Sequence, residues 1–200
     1  HAVDALPHVR TGKRDDDLLV ALSVLCHDFG KPKTSVVEED GRITSRRHEI
    51  EGAREVHSFL ARLWNSASLV ESVVRLVTAH MRPTMLIQAS SSDKAFRKLA
   101  VDVGRMDLLA NVVECDMRAT PPNPVHLEIV DAFRKKSVEL SVAHEPPKPL
   151  LLGRHLIERG LRPGPLFRKI LDDCYAHQID GDFLDLESGL RFLDRLLKKN

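Results

Sequence analysis

Apolar residues recur every three or four positions along most of this chain, which is the spacing of one buried helix face. The first clear example follows Asp15-Asp16-Asp17, whose acids suit the positive end of a helix dipole, and it ends at Gly30-Lys31-Pro32. Two short runs at 34–37 and 42–45, around an Asp40-Gly41 turn, instead predict a β-hairpin. Later helical segments are predicted at 48–64, 67–81 (stopped by Pro83), from Ser90 onward, and at 106–118, 125–142, 150–160, 163–178 and 185–199. The fold class predicted from this pattern is all-α with one small hairpin.

The helical pattern has one convincing internal boundary, the linker His144-Glu145-Pro146-Pro147-Lys148-Pro149. Prolines at this density cannot continue a helix, so the linker predicts a break between two helical units. We therefore expect a main domain over residues 1–145 and a C-terminal helical arm over residues 146–200.

The composition narrows the class of protein. Hydrophobic residues make up 42% of the 200 residues, without a signal peptide or an apolar run long enough to cross a membrane, so no membrane partner is expected. Three cysteines without a CxxC pair favour reduced thiols in the cytoplasm. The chain opens on His1 in what reads as mid-helix, without a methionine or a cap, and we expect it to be a fragment of a longer protein.

The formal net charge of +1 gives no overall attraction to nucleic acid, but one segment of the predicted arm is strongly basic. Only one acid, Glu158, interrupts it. A cluster of this kind either meets phosphates or forms a solvated helix face, and charge alone leaves both interpretations open. Its members, the candidate RNA-contacting residues, are Arg154, Arg159, Arg162, Arg168 and Lys169.

Candidate metal ligands begin with His27 and Asp28, which follow an apolar helix and precede a glycine that lets the backbone turn away. Imidazole nitrogen and carboxylate oxygen are ligands for zinc, manganese, iron, nickel or cobalt. A His-Asp dipeptide is weak by itself in a chain with ten histidines. Its interpretation as a metal site depends on partners elsewhere in the chain.

Four such partners stand at the ends or on the apolar faces of other predicted helices. Asp116 lies in an apolar segment, where an unpaired carboxylate is costly to bury, although pairing with Arg118 is an alternative. His48 begins one helix and His80 ends another, and either could simply be a helix-end histidine. His1 begins the segment before the dipeptide. Helices packed in a bundle can direct such side chains to one point.

The segment "LCHDFGKP", together with this order of histidines and aspartates, resembles the HD-domain metal-dependent phosphohydrolases. The resemblance implies an HD-type helical bundle in which four residues bind one divalent ion, Ni, Mn, Mg, Co, Fe or Zn. In two-metal members a second ion shares the aspartate of the pair. The implied first-ion ligands are His1, His27, Asp28 and Asp116, and His48 and His80 complete the implied second site.

A closer resemblance covers nearly the whole chain. "HEIEGAREV", "LVTAHMRP" and the tail "LLGRHLIERGLRPGP" are similar to the C-terminal half of bacterial tRNA nucleotidyltransferases, which include CCA-adding enzymes and some poly(A) polymerases. This implies RNA, most of all tRNA, as a partner. The paired-carboxylate strand motif that adds nucleotides is not found in this sequence, so no nucleotide addition is expected from the chain itself.

The resemblance also implies a mechanism, hydrolysis of a phosphomonoester or a 2',3'-cyclic phosphodiester at the metal centre. Asp28 would touch every ion, and Lys31 would contact the substrate phosphate, although Lys31 could instead offset the negative end of the preceding helix. Arg82 is a further candidate phosphate ligand. Two other functions stay open at this point: a catalytically weak RNA-binding body, and a stand-alone nucleotide phosphohydrolase without an RNA partner.

Overall fold

The computed structural model describes residues 1–119 and 124–198, and this part of the chain is almost entirely helical. A 3-10 helix, Ala2–Val9, precedes the α-helices. Among the described residues no helix has the length and apolar character needed to cross a bilayer. The α-helices are α1 Arg14–Cys26, α2 Lys31–Thr34, α3 His48–Glu51, α4 Ala53–Ala61, α5 Ala67–Ala79, α6 Arg82–Gln88, α7 Asp93–Val103, α8 Met106–Ala119, α9 Pro124–Glu139, α10 Gly153–Ile157, α11 Pro165–Asp180 and α12 Leu186–Leu197.

The predicted hairpin is present between α2 and α3. Strands β1, Ser35–Val37, and β2, Ile43–Ser45, pair antiparallel, with Val36 opposite Thr44. Gly41 supplies the positive φ of +80° that the connection needs. The predicted all-α fold with one small hairpin is therefore confirmed.

Helix α8 lies at the centre of the main apolar cluster. Its residues Leu108 and Leu109 are fully buried, and the cluster also receives side chains from the 3-10 helix and from α1, α5, α7 and α9. Val20 and Val24 of α1 belong to this cluster. A second cluster forms between α1, α4 and α5 and includes Leu22 and Cys26 of α1. Helix α1 is thus fixed on two faces, and its C-terminal end is held where the two clusters meet.

Two helix boundaries differ from the prediction. The helix predicted at 48–64 is divided at Gly52 into α3 and α4. The segment predicted to stop at Pro83 stops earlier, since α5 ends at Ala79, and Pro83 lies instead in the first turn of α6. Proline fits a first turn because the missing N–H would have had no partner in the helix there.

Among the glycines of this chain, Gly30 and Gly52 lie closest to the backbone of another segment. A Cβ atom built on Gly30 would overlap the carbonyl oxygen of His48 and lie 2.8 Å from the amide nitrogen of Gly52. A Cβ atom built on Gly52 would lie 2.6 Å from the amide nitrogen of Gly30. The turn after α1 therefore touches α3 backbone to backbone, and any side chain at either position would separate them.

The C-terminal helices have an apolar cluster of their own, built around Leu156, Cys174 and Leu193. They attach to the main bundle through α7, where Arg97 Nε donates a hydrogen bond to Ile179 O (2.9 Å) at the end of α11. Lys94 and Lys98 lie 2.8 and 3.1 Å from the carboxylate oxygens of Asp180. The boundary between residues 145 and 146 stays a prediction. The last helix ends at Leu197, and Lys199, its predicted end, lies outside the described residues.

Candidate metal centre

Five of the six predicted metal ligands come from four different helices. His27 and Asp28 directly follow α1, His48 is the first residue of α3, and His80 directly follows α5. Asp116 lies on the last turns of α8. The two apolar clusters and the contact between Gly30 and α3 bring these positions together.

The carboxylate of Asp28 links two groups of ligands. Its Oδ2 lies 3.3 Å from His27 Nε2, which is also 3.3 Å from Asp116 Oδ1. Its Oδ1 lies 3.3 Å from His48 Nε2, which is 3.2 Å from His80 Nε2. One ligand atom each from Asp28, His48 and His80 lies within 4.8 Å of the others, a grouping that can hold a metal ion. Asp28 therefore belongs to both groups, the one with His27 and Asp116 and the one with His48 and His80.

The three histidines are oriented in the same way, each by a main-chain carbonyl three residues earlier. His27 Nδ1 contacts Val24 O at 2.7 Å, and His80 Nδ1 contacts Val77 O at 2.6 Å. His48 Nδ1 contacts Ser45 O at 2.8 Å. A carbonyl accepts a hydrogen bond, so Nδ1 carries the proton in each ring. This second interaction fixes both the tautomer and the direction of Nε2, as is usual for metal-binding histidines.

The donor set fits a divalent cation. With the proton on Nδ1, the neutral rings of His48 and His80 direct Nε2 lone pairs at each other across 3.2 Å, without a hydrogen to join them. Both rings are buried. A cation between these nitrogens and the Asp28 carboxylate would satisfy all three groups, and imidazole with carboxylate suits transition metals.

The charges around His27, Asp28 and Asp116 also favour the binding of a cation. Burial acts to lower the pKa of His27, but hydrogen bonds to Asp116 and Asp28 outweigh it and raise the pKa to about 10. Burial acts to raise the pKa of Asp28, yet His27 and Lys31 bring it well below its ordinary value. Burial acts to raise the pKa of Asp116, but the hydrogen bond and charge of His27, together with the charge of His80, lower it. Two ionised carboxylates therefore face the place where a first cation would bind.

The remaining predicted ligand, His1, is not brought into this group. Its side chain is 92% exposed, and the contacts that join the described ligands do not include it. His1 stays a prediction as a first-ion ligand. Arg118, the alternative partner that the sequence offered for Asp116, instead lies 2.7 Å from Glu114.

The two predicted phosphate-binding residues near the centre have different surroundings. Lys31 Nζ lies 2.7 Å from Asp28 Oδ2, and the lysine side chain remains 46% exposed. It therefore contacts the proposed ligand set and still reaches solvent. Arg82 Nη1 lies 2.5 Å from Asp102 Oδ2, so this guanidinium already has an acidic partner. Both roles stay predictions.

Sequence reasoning missed Glu49, which follows His48 directly. Its carboxylate Oε2 lies 3.6 Å from His48 Nδ1, and its side chain is largely buried. At this distance it does not replace the bond to Ser45, but it adds negative potential behind the imidazole and increases its affinity for a cation. The signal available in the sequence was an acid next to a candidate ligand.

Two of the five cations in the basic cluster of the C-terminal helices form ion pairs with acidic residues. Arg159 Nε lies 2.5 Å from Asp194, and Arg168 Nε lies 3.6 Å from Asp172. Within residues 1–119 and 124–198, no acidic partner is found for the other three cations, Arg154, Arg162 and Lys169, all exposed. These three have the charge available for an external anion.

Comparison with known proteins agrees with this geometry. The model of the HD domain family matches residues 4–114, a range that holds His27, Asp28, His48 and His80 and ends two residues before Asp116. The chain is 30% identical over 178 residues to the A-adding tRNA nucleotidyltransferase of Deinococcus radiodurans, an alignment that covers 86% of this chain and 40% of that protein. The chain thus spans less than half the length of this relative. No solved structure matches it. Because the family model covers more than half of the residues, the chain belongs to the HD domain family of metal-dependent hydrolases.

Proposed function

We propose that this chain is a divalent-metal-dependent phosphohydrolase that cleaves phosphomonoesters or 2',3'-cyclic phosphodiesters in an RNA context, as part of tRNA 3'-end processing. The observation that carries the proposal is the convergence of Asp28, His48 and His80, whose ligand atoms lie within 4.8 Å of one another. Membership of the HD domain family supports the same chemistry.

The proposed metal ligands divide into two sets that share Asp28. His1, His27, Asp28 and Asp116 would hold a first ion, and Asp28, His48 and His80 a second. When bound, a divalent ion lowers the pKa of a water molecule toward neutrality and polarises a phosphoryl oxygen. Ni, Mn, Mg, Co, Fe and Zn are all compatible with a site of imidazoles and carboxylates.

The side chains of the chain would supply position and charge. The main-chain carbonyls behind the histidines hold the ligands still, so reorganisation during the reaction stays small. Lys31 is held by Asp28 yet half exposed, and its ammonium can therefore contact a phosphoryl oxygen next to the ligand set. Charge that develops on that oxygen would be offset by Lys31 Nζ.

The RNA part of the proposal is supported by two observations. The relative from Deinococcus radiodurans is named for adding A to tRNA. The exposed Arg154, Arg162 and Lys169 have no acidic partner among the described residues, so their charge is free to meet phosphates. The same likeness favours a second candidate, a catalytically weak RNA-binding body of a nucleotidyltransferase, since the chain spans 40% of that protein.

The proposal is tested by elemental analysis of the purified chain together with turnover of bis(4-nitrophenyl) phosphate and of a 2',3'-cyclic nucleotide. Stoichiometric metal with metal-dependent turnover is the expected result. Metal without turnover under any divalent ion would favour the RNA-binding body. Full turnover together with no affinity for tRNA would favour a stand-alone nucleotide phosphohydrolase.

Replacing His48 and His80 together with alanine should remove one equivalent of metal and leave one. These two rings contact the second group of ligands, whereas the contacts between His27 and Asp116 do not involve them. Inductively coupled plasma spectrometry after saturation with Mn²⁺ or Ni²⁺ measures the ratio. His144→Ala, at a 78% exposed side chain, is the matched control. Loss of all metal, or a parent that never exceeds one ion, would contradict the two-ion arrangement.

Replacing Arg154, Arg162 and Lys169 with glutamine should weaken tRNA binding and reduce its salt dependence, while turnover of the small phosphodiester stays unchanged. Each lost phosphate contact is expected to lower the slope of log affinity against log salt by about 0.7 to 0.9. Fluorescence titrations of labelled tRNA at four or more salt concentrations give the slope. An unchanged slope would show that these cations face solvent only.

A further inference from the structure

His155, at the start of the C-terminal helices, is buried, and each of its two ring nitrogens contacts an N–H donor. Nδ1 accepts a hydrogen bond from the main-chain N–H of Leu152 at 3.0 Å. Its other nitrogen, Nε2, lies 3.1 Å from Nε of Arg154. The ring itself is only 4% exposed, so it has few other orientations.

These two contacts cannot both be hydrogen bonds to a neutral imidazole. Because Nδ1 accepts from Leu152, the ring proton must be on Nε2. The guanidinium Nε of Arg154 always carries a hydrogen and never accepts. Turning the ring over would place a carbon where Nδ1 now accepts, and adding a second proton would set an N–H against the N–H of Leu152.

Two N–H donors, one of them cationic, therefore face each other across 3.1 Å. Arg154 is exposed and has no acidic partner within residues 1–119 and 124–198. The backbone beneath is held in place, because Arg159 Nη1 donates to His155 O at 3.0 Å and Arg159 is itself paired with Asp194. Once the exposed side chain of Arg154 turns away from the ring, an oxyanion beside the pair would accept from both donors and remove the conflict.

We infer that Arg154 and His155 form a phosphate-binding site, and that it takes a backbone phosphate of RNA. The inference rests on the proposed function for the identity of the RNA partner. Arg154 supplies the charge and His155 supplies a fixed, neutral donor. Arg162 and Lys169, also exposed and without acidic partners among the described residues, would add attraction for a polyanion over a single phosphate.

The two donors should give different signatures in RNA binding. Arg154→Gln is expected to lower the salt slope by about 0.7 to 0.9, because it removes a charge that displaces a counterion. His155→Asn keeps an acceptor for Leu152 N–H but lacks the Nε2 donor. It is expected to weaken affinity about tenfold, the effect of one hydrogen bond to a charged group, and to leave the salt slope unchanged. His177→Asn, in the same helices, is the matched control and should change neither.

A direct measurement on the unaltered chain accompanies the variants. Long-range ¹H–¹⁵N spectra of ¹⁵N-histidine-labelled protein report which ring nitrogen of His155 carries the proton, during titration with tRNA and separately with inorganic phosphate. A shift of the His155 Nε2 signal with tRNA, and a weaker shift with phosphate, is the expected result. A tRNA that binds without moving this signal would overturn the site and leave the proposed function standing. A response to phosphate alone would overturn RNA as the ligand, and a parent that does not bind tRNA at all would overturn both.

Discussion

Replacing Asp28 with asparagine should abolish both metal binding and phosphodiester hydrolysis. The two oxygens of this carboxylate face the two groups of ligands, so its loss removes a charge from both proposed cation sites at once. An amide keeps the shape of the side chain but is a poor ligand for a divalent ion. We expect metal content below about a tenth of the parent, and a rate reduced by about a thousandfold or more, a loss of about 4 kcal/mol in transition-state stabilisation.

The matched control is Asp172→Asn, at an exposed carboxylate paired loosely with Arg168 at 3.6 Å. It should keep the parent's metal content and rate. Thermal unfolding of both variants separates loss of the ligand from loss of the fold. An Asp28→Asn protein that retains full metal by elemental analysis would show that the centre is not where these residues place it.

Replacing Gly30 with alanine should have the second largest effect, although Gly30 binds nothing. The added methyl group would overlap His48 O, so the turn after α1 and the start of α3 must move apart. Strain of this kind in a well-packed region costs about 1–3 kcal/mol, and about 2–4 °C in melting temperature for each kcal/mol in a chain of this size. The movement separates Asp28 from His48, so affinity for the second ion should fall more than affinity for the first.

Gly153→Ala provides the comparison for Gly30→Ala. The new Cβ would meet Phe167 at 3.7 Å, an ordinary contact, so stability and metal binding should be those of the parent. Isothermal titration with Mn²⁺ measures the two affinities, and scanning calorimetry measures the unfolding temperature. Should Gly30→Ala bind both ions with the parent's affinities, the backbone contact would have no part in forming the centre.

The fold was predictable where local pattern determines it. Apolar spacing and the acids at 15–17 located α1, and the Asp40-Gly41 turn located the hairpin. The division between α3 and α4 was not predictable, because the apolar period runs on through Gly52 and the break accompanies contact with Gly30, which is distant in sequence. The helix start at Arg82 was missed for a different reason. Proline is compatible with both the end and the first turn of a helix, and sequence alone did not separate the two.

Much of the candidate centre was predictable from residue type and motif, because "CHDFGK" and the helix-end histidines point to one chemistry. What the sequence lacked was orientation. The bond from each histidine to a carbonyl three residues earlier decides which nitrogen faces the centre, and it depends on how each helix ends. The contacts of His155 likewise depend on side-chain orientation, which the sequence does not contain. The sequence pattern does not single it out, since its conflicting contacts arise only once the helix start at Gly153 is formed.

Salt should act on the ion pairs that attach the C-terminal helices to α7, as well as on the proposed contacts with RNA. The pairs of Lys94 and Lys98 with Asp180 are partly exposed, so mobile ions weaken them over the same range of salt concentration in which they would weaken the proposed contacts with RNA. Raising the salt concentration would then weaken the attachment that keeps the basic residues at a fixed distance from the proposed metal centre. Cleavage of an RNA held by these helices should therefore decline more steeply with salt than the occupancy of the complex. A small phosphodiester, which needs no such span, should be cleaved at a rate nearly independent of salt.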